Sequence, residues 1–116
     1  VSDIADLLRA ARALLEPEGA WCQGAYALTD DGHTTMLGAP NCVQRCAIAA
    51  LHEAYPLERP VRESAFDNAW FLLAEAMGVR VSEVEGWNDV PGRTQAEVLD
   101  AFERAIASAE REDAHD

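Results

Sequence analysis

The sequence predicts a mostly α, α+β domain: a compact unit of about four helices, with one small β-hairpin between the first and second. Three observations carry this reading. Apolar residues recur at three- and four-residue spacing in four separate stretches, as amphipathic helices require. Between the first two stretches, Asp31-Gly32 separates short strand-like runs, a strong hairpin signal. Near the end, Thr94 stands three residues before Glu97, the spacing of a capping box.

Ser2 is expected to cap the first helix, which runs to about Leu15 with Ile4, Leu7, Leu8, Ala11, Leu14 and Leu15 on one face. Pro17 and Gly19 stop it. Gly24 to Leu28 is a short run bounded by Thr29-Asp30-Asp31-Gly32, and His33 to Leu37 returns with strand-like residues. A lone hairpin is marginal in water, so this one must lean on the helices. Asn41 is expected to cap the second helix, with Gln44 three residues on. Its buried stripe is Val43, Cys46, Ala47, Ala50, Leu51 and Ala54, and Pro56 ends it. Leu57 to Glu63 reads as a charged connection. Ser64 is expected to cap a third helix, Ala65 to Met77, stopped by Gly78. Phe66, Ala69, Trp70, Leu73 and Met77 form its stripe, widened by Phe71 and Leu72. Ser82 to Glu85 can start one short helical turn before Gly86. The last helix runs from Gln95 to about Ala109, with Val98, Leu99, Phe102, Ala105, Ile106 and Ala109 inward. We expect one globular domain over 1–109 and a polar, frayed tail over 110–116.

Charge excludes one class of function. Acids outnumber bases 21 to 9, for a net charge of -12. All of the bases are arginines, and Arg9/Arg12 and Arg59/Arg62 are isolated pairs rather than a stripe. Binding a phosphate backbone needs such a stripe, so direct nucleic-acid binding is not expected. The acidity serves solubility, or else acidic faces engage a basic partner or imitate nucleic acid. No stretch approaches the roughly 20 apolar residues that cross a bilayer, so no membrane role is expected. Val1 to Asp6 is acidic where a secretory leader is basic, and we expect a cytoplasmic protein. Three cysteines, Cys22, Cys42 and Cys46, make no disulfide framework and read as thiols.

Three groups of residues could carry chemistry. Cys22, Cys42 and Cys46 with His33 or His52 would suit zinc, but the short Cys-x-x-Cys knuckle is missing and Cys46 lies on an apolar stripe. Cys42, at the first turn of its expected helix, could be a nucleophile with a lowered pKa, served by His33 as base. His52 falls opposite the buried stripe, and His115 is in the tail. The third group is the loop Trp87-Asn88-Asp89-Val90-Pro91-Gly92-Arg93. Trp and Arg are favoured interface residues, and the helix that follows offers free N–H groups. Against this, Asn88 and Asp89 can bond their own loop, Trp87 can plug the core and Arg93 can pair with an acid. The carboxylate pairs Asp30/Asp31 and Glu83/Glu85 read as solvated, and no phosphate loop, nucleophile elbow or dinucleotide-binding glycine pattern is present.

The order Trp21-Cys22-x-Gly24, Arg45-Cys46-Ala47 and Trp87-Asn88-Asp89-x-Pro91-Gly92-Arg93-Thr94-x-x-Glu97-Val98 resembles a family of small domains of unknown function found in actinobacteria and their phages. The likeness runs from the first helix to the last. In the family pattern a glycine stands three residues after the helical cysteine, where this chain has Ala49. The resemblance implies the layout and carries no assigned activity.

The expected function is that of a small acidic, cytoplasmic, non-enzymatic binding protein with a protein partner, a phage or host-defence accessory engaging a basic surface being one form of it. Its partner-binding residues would be Trp87, Asn88, Asp89 and Arg93, with no catalytic residue, metal or cofactor. The alternative is a small thiol- or metal-dependent enzyme using Cys42, Cys46 and His33.

Overall fold

A computed structural model describes residues 3–55 and 63–114. The first helix, α1, spans Asp3–Leu15 and buries Ala5, Leu7, Leu8, Ala11 and Leu15. Asp3 and Asp6 lie in its first turn and Arg12 in its last, which suits the helix dipole. The expected cap, Ser2, lies outside the described residues. At and just past the end of α1, the carbonyls of Leu15 and Pro17 accept hydrogen bonds from the side chain of Gln95, at 2.7 and 2.8 Å.

A two-stranded antiparallel hairpin follows between α1 and the next helix, as predicted, but its return strand lies later in the chain. β1 is Ala27–Leu28 and β2 is Gln44–Arg45, paired Ala27 to Arg45 and Leu28 to Gln44. The Asp31-Gly32 turn does form, with Thr29 N–H donating to the His33 carbonyl at 2.8 Å. The segment expected as the return strand, His33 to Leu37, supplies one isolated bridge, Thr34 to Leu28.

The second helix, α2, spans Ala47–Ala54 rather than starting at Asn41. The backbone before it is held extended by remote partners. Val43 N–H donates to the Leu28 carbonyl, Arg45 N–H to Ala20 and Cys46 N–H to Tyr26. The two residues expected to cap a helix are engaged elsewhere: Gln44 donates to the Gly19 carbonyl and Asn41 accepts from the Thr35 hydroxyl. As a result Val43 is exposed, Cys42 is outside any helix and Cys46 becomes the N-cap residue. Ala47 to Leu51 are all buried. Pro56, the expected stop, lies outside the described residues.

The third helix, α3, spans Glu63–Met77, so Ser64 lies inside it instead of capping it. Ala65, Ala69, Leu72, Leu73, Ala74 and Met77 are buried. Phe71, expected to widen the stripe, is 54% exposed. It sits about 100° around the helix from Trp70, on the side away from the core. Gly78, at φ +78°, ends the helix in the left-handed region. Val79 N–H then reaches back to the Ala74 carbonyl and Gly78 N–H to Glu75, the paired bonds of a Schellman motif.

A 3-10 turn, Val81–Glu83, leads into α4, Val84–Asn88. The single turn expected before Gly86 therefore continues through it. The last helix, α5, spans Gln95–Ala114, further than the expected Ala109. Its start is the predicted box: Thr94 N–H donates to Glu97 Oε1 at 2.9 Å, and Glu97 N–H donates to Thr94 Oγ1 at 3.2 Å. α1 lies against α2, α3 and α5, and α3 lies against α5. Phe102, Leu8, Leu15, Leu51 and Leu73 are the largest wholly buried apolar side chains at their junction. Among the described residues, no helix is long and apolar enough to cross a membrane.

Candidate functional site

The loop joining α4 to α5 is tied to the rest of the molecule through Asn88. Its side chain is 0% exposed, so it faces inward and does not reach the surface. Oδ1 accepts from the Trp21 indole N–H at 2.7 Å and from the Ala47 backbone N–H at 2.9 Å. Nδ2 donates to the Cys22 carbonyl at 3.1 Å and to Asp89 Oδ1 at 2.9 Å. Ala47 is the first residue of α2, and the N-cap Cys46 makes no side-chain capping bond. Asn88 thus supplies from another part of the chain the acceptor that a helix start needs. Sequence reasoning offered Asn88 as a partner contact or, alternatively, as bonding its own loop; three of its four side-chain bonds go to distant segments.

Asp89 and Gln23 complete the seam. Asp89 Oδ1 also accepts from Gly24 N–H at 2.9 Å. Gly24 turns there at φ +75°, a conformation open to glycine at little cost. Gln23 Nε2 donates to the carbonyls of Asn88 and Val90, at 2.9 and 2.8 Å.

Trp87 and Arg93 are presented on the other side of this seam. Trp87 is half-buried, and the Arg93 guanidinium lies over its ring with the carbon 3.8 Å from the ring centroid. Arg93 Nε donates to the Trp87 carbonyl at 3.0 Å, and Nη1 reaches Glu97 at 3.4 Å. Arg93 is therefore both a stacking partner and an ion-pair partner. Nη2 has no partner among the described residues. Together the pair walls an open groove of about 420 Å³. Ala76 and Met77 of α3 close one side of it, and Ala96, Glu97, Asp100 and Arg104 of α5 the other. Arg104 spans the groove end, bonding Asp100 at 2.9 Å and the Ala76 carbonyl at 2.7 Å.

The thiols and histidines do not assemble as the alternative reading needs. Burial first, and then the neighbouring Cys46, push the Cys22 thiol up to about 11. Burial likewise pushes Cys46 up. Both therefore stay protonated and weakly nucleophilic near neutral pH. Cys42 is half-exposed beside a hollow of about 550 Å³ between the end of α1 and β2. Because α2 starts at Ala47, Cys42 does not lie at the helix N-terminus that the nucleophile reading needs. Cys42 bonds the Gln44 carbonyl, His33 pairs with Asp31 on the exposed turn, and no hydrogen bond joins the two. Among the described residues, no three Cys, His, Asp or Glu side chains converge as a metal site would require.

A model of a family of unknown function, DUF6197, matches residues 1–108. The chain belongs to DUF6197. No curated protein and no solved structure matches the chain. The DUF6197 match covers α1 through most of α5, and so includes the Asn88 seam and the groove beside Trp87.

One further feature of this DUF6197 chain was not foreseen. Tyr26, His52, Tyr55, Phe66 and Trp70 form a cluster of rings. His52 stacks on Phe66 at 5.1 Å and 15°, and meets Trp70 edge-on at 5.8 Å. The Tyr26 hydroxyl hydrogen-bonds His52 Nδ1. Burial lowers the His52 pKa, so the neutral ring is favoured. Phe66 and Trp70, four apart on α3, were visible as a pair. Tyr26 and His52 come from separate segments, and only the tertiary fold brings them alongside Phe66 and Trp70.

Proposed function

We propose that this chain is a non-enzymatic, cytoplasmic protein-interaction domain whose contact surface is the groove walled by Trp87 and Arg93. The observation that carries the reading is the guanidinium laid over the indole at 3.8 Å on the wall of an open groove. Trp and Arg are the side chains most often found at binding hot spots. Here both are held in place before any partner arrives, which lowers the entropy lost on binding. Asn88 acts from below by holding the loop, and Asp89 serves the same seam. The net charge of -12 favours a partner with a basic surface by steering its approach.

Two variants test this. Ala96→Gln fills the groove and touches none of the loop's bonds, and should change stability by less than about 0.5 kcal/mol. Arg93→Ala removes a stacked cation and its hydrogen bond, and should cost about 1–2 kcal/mol. In pull-downs from native extract well below the melting temperature, each should cut partner recovery by roughly tenfold or more, the scale of a hot-spot loss. Undiminished recovery with folded Ala96→Gln would overturn the proposal.

A further inference from the structure

A second surface, sharing no residue with the groove, carries a more specific chemistry. Tyr26, just before β1, is 41% exposed. His52 is exposed on α2, and Phe66 and Trp70 are half-buried on α3. Ring-to-ring steps of 5.7 Å from Tyr26 to His52 and 5.8 Å from His52 to Trp70 make one continuous aromatic patch. The Trp70 indole N–H donates to the Val81 carbonyl at 3.0 Å, which sets the exposed Val81 side chain at its border. The Trp70 N–H and the Tyr26 hydroxyl are thus already bonded within the molecule. The rings and His52 Nε2 remain.

Glu85 lies on α4, which packs against both α2 and α3, the helices that carry His52, Phe66 and Trp70. It is exposed on α4, and its carboxylate makes no ion pair or hydrogen bond among the described residues. Its charge acts on the Tyr26 phenol, whose pKa burial, Cys46 and then Glu85 raise to about 12. An uncompensated carboxylate next to ring faces is a site for a cation: the ring quadrupole and the carboxylate both attract it, and the arginine and lysine side chains are suited to lie over such rings. A phosphate-bearing partner would be repelled. The patch spans more than a single ammonium group covers; at about 3.3 Å per residue of extended chain, it suits a few consecutive residues.

We infer that the Tyr26–His52–Phe66–Trp70 surface is a docking site for a basic peptide segment, with an arginine or lysine side chain lying over the rings beside Glu85.

The test follows indole N–H signals by NMR in nitrogen-15-labelled protein, where Trp21, Trp70 and Trp87 report separately. The probe is a short peptide of alternating Arg and Gly, with Gln-Gly and Glu-Gly peptides as controls. The Arg peptide should shift the Trp70 signal saturably at about millimolar concentration or below. The controls should not. Glu85→Gln should weaken binding about 2- to 5-fold, the range of one exposed ionic or cation–π contact. Glu112→Gln removes an equal charge from the exposed end of α5 and should leave affinity unchanged. No saturable Trp70 shift, equal binding of the Gln peptide, or equal weakening by Glu85→Gln and Glu112→Gln would overturn the inference. Since the groove variants leave this patch intact, failure here and failure of the groove proposal are distinguishable.

Discussion

Asn88 is a single amide at which three separate segments meet. Replacing it by alanine leaves the Trp21 indole N–H and the Ala47 N–H without their shared acceptor, and the Cys22 carbonyl without its donor. An unsatisfied buried group costs about 1–3 kcal/mol. Asn88→Ala should therefore lower stability by about 3–5 kcal/mol, read as a fall in the urea midpoint at unchanged slope. Asn88→Asp keeps an acceptor but loses both Nδ2 bonds and sets a second carboxylate beside Asp89. It should not rescue. A loss below about 1 kcal/mol in Asn88→Ala would show that the seam holds without its amide. Nothing in the sequence marks this residue as an internal tie: Asn before Asp-Val-Pro-Gly reads as turn chemistry, and its partners lie far away along the chain.

Helices were legible where a face decides them, and illegible where a remote strand does. α1, α3 and α5 repeat their apolar residues with helical period, and the structure buries those faces. The start of α5 was readable to the residue because both halves of its cap lie within four positions. Thr94→Ala should accordingly cost about 0.5–2 kcal/mol in thermal or urea unfolding. A change below this range would mean that Glu97 holds the helix start alone. α2 was misread because Asn41 and Gln44 have cap-like spacing, while the pairing that extends Val43 to Cys46 is set by Ala20, Tyr26 and Leu28. The same gap hid the aromatic patch. Of the candidate site, Trp87 and Arg93 were legible as residue types of the right kind. That Asn88 is an internal tie depends on contacts between distant segments, which local pattern does not contain; the Arg93 stack is local, but the backbone path of the loop decides it.

At the scale of the whole molecule, the net charge of -12 and the lowered pKa of the partly desolvated His52 ring pull stability in opposite directions as pH falls. Protonating carboxylates and histidines reduces self-repulsion, which favours the fold. His52 acts against this. Burial lowers its pKa from the ordinary 6.5, so the unfolded chain takes up the proton first. Its contribution to stability is present above 6.5 and is lost as pH falls through the depressed folded value. His52→Phe keeps a ring on Phe66 and removes the titration. The melting-temperature gap between wild type and His52→Phe should shift in favour of the variant between about pH 7 and 5, whatever the common charge effect does. Parallel profiles would show that the ring is not held neutral by the fold. The seam at Asn88 also has a consequence for the order of assembly. Its side chain joins positions 41, 66 and 67 residues apart, so it closes some of the longest loops in the chain, and contacts of high sequence separation form late. On the ribosome, α2 is synthesised well before residue 88 is available to cap it. The Ala47 amide can therefore meet this acceptor only after the carboxy-terminal half has been made.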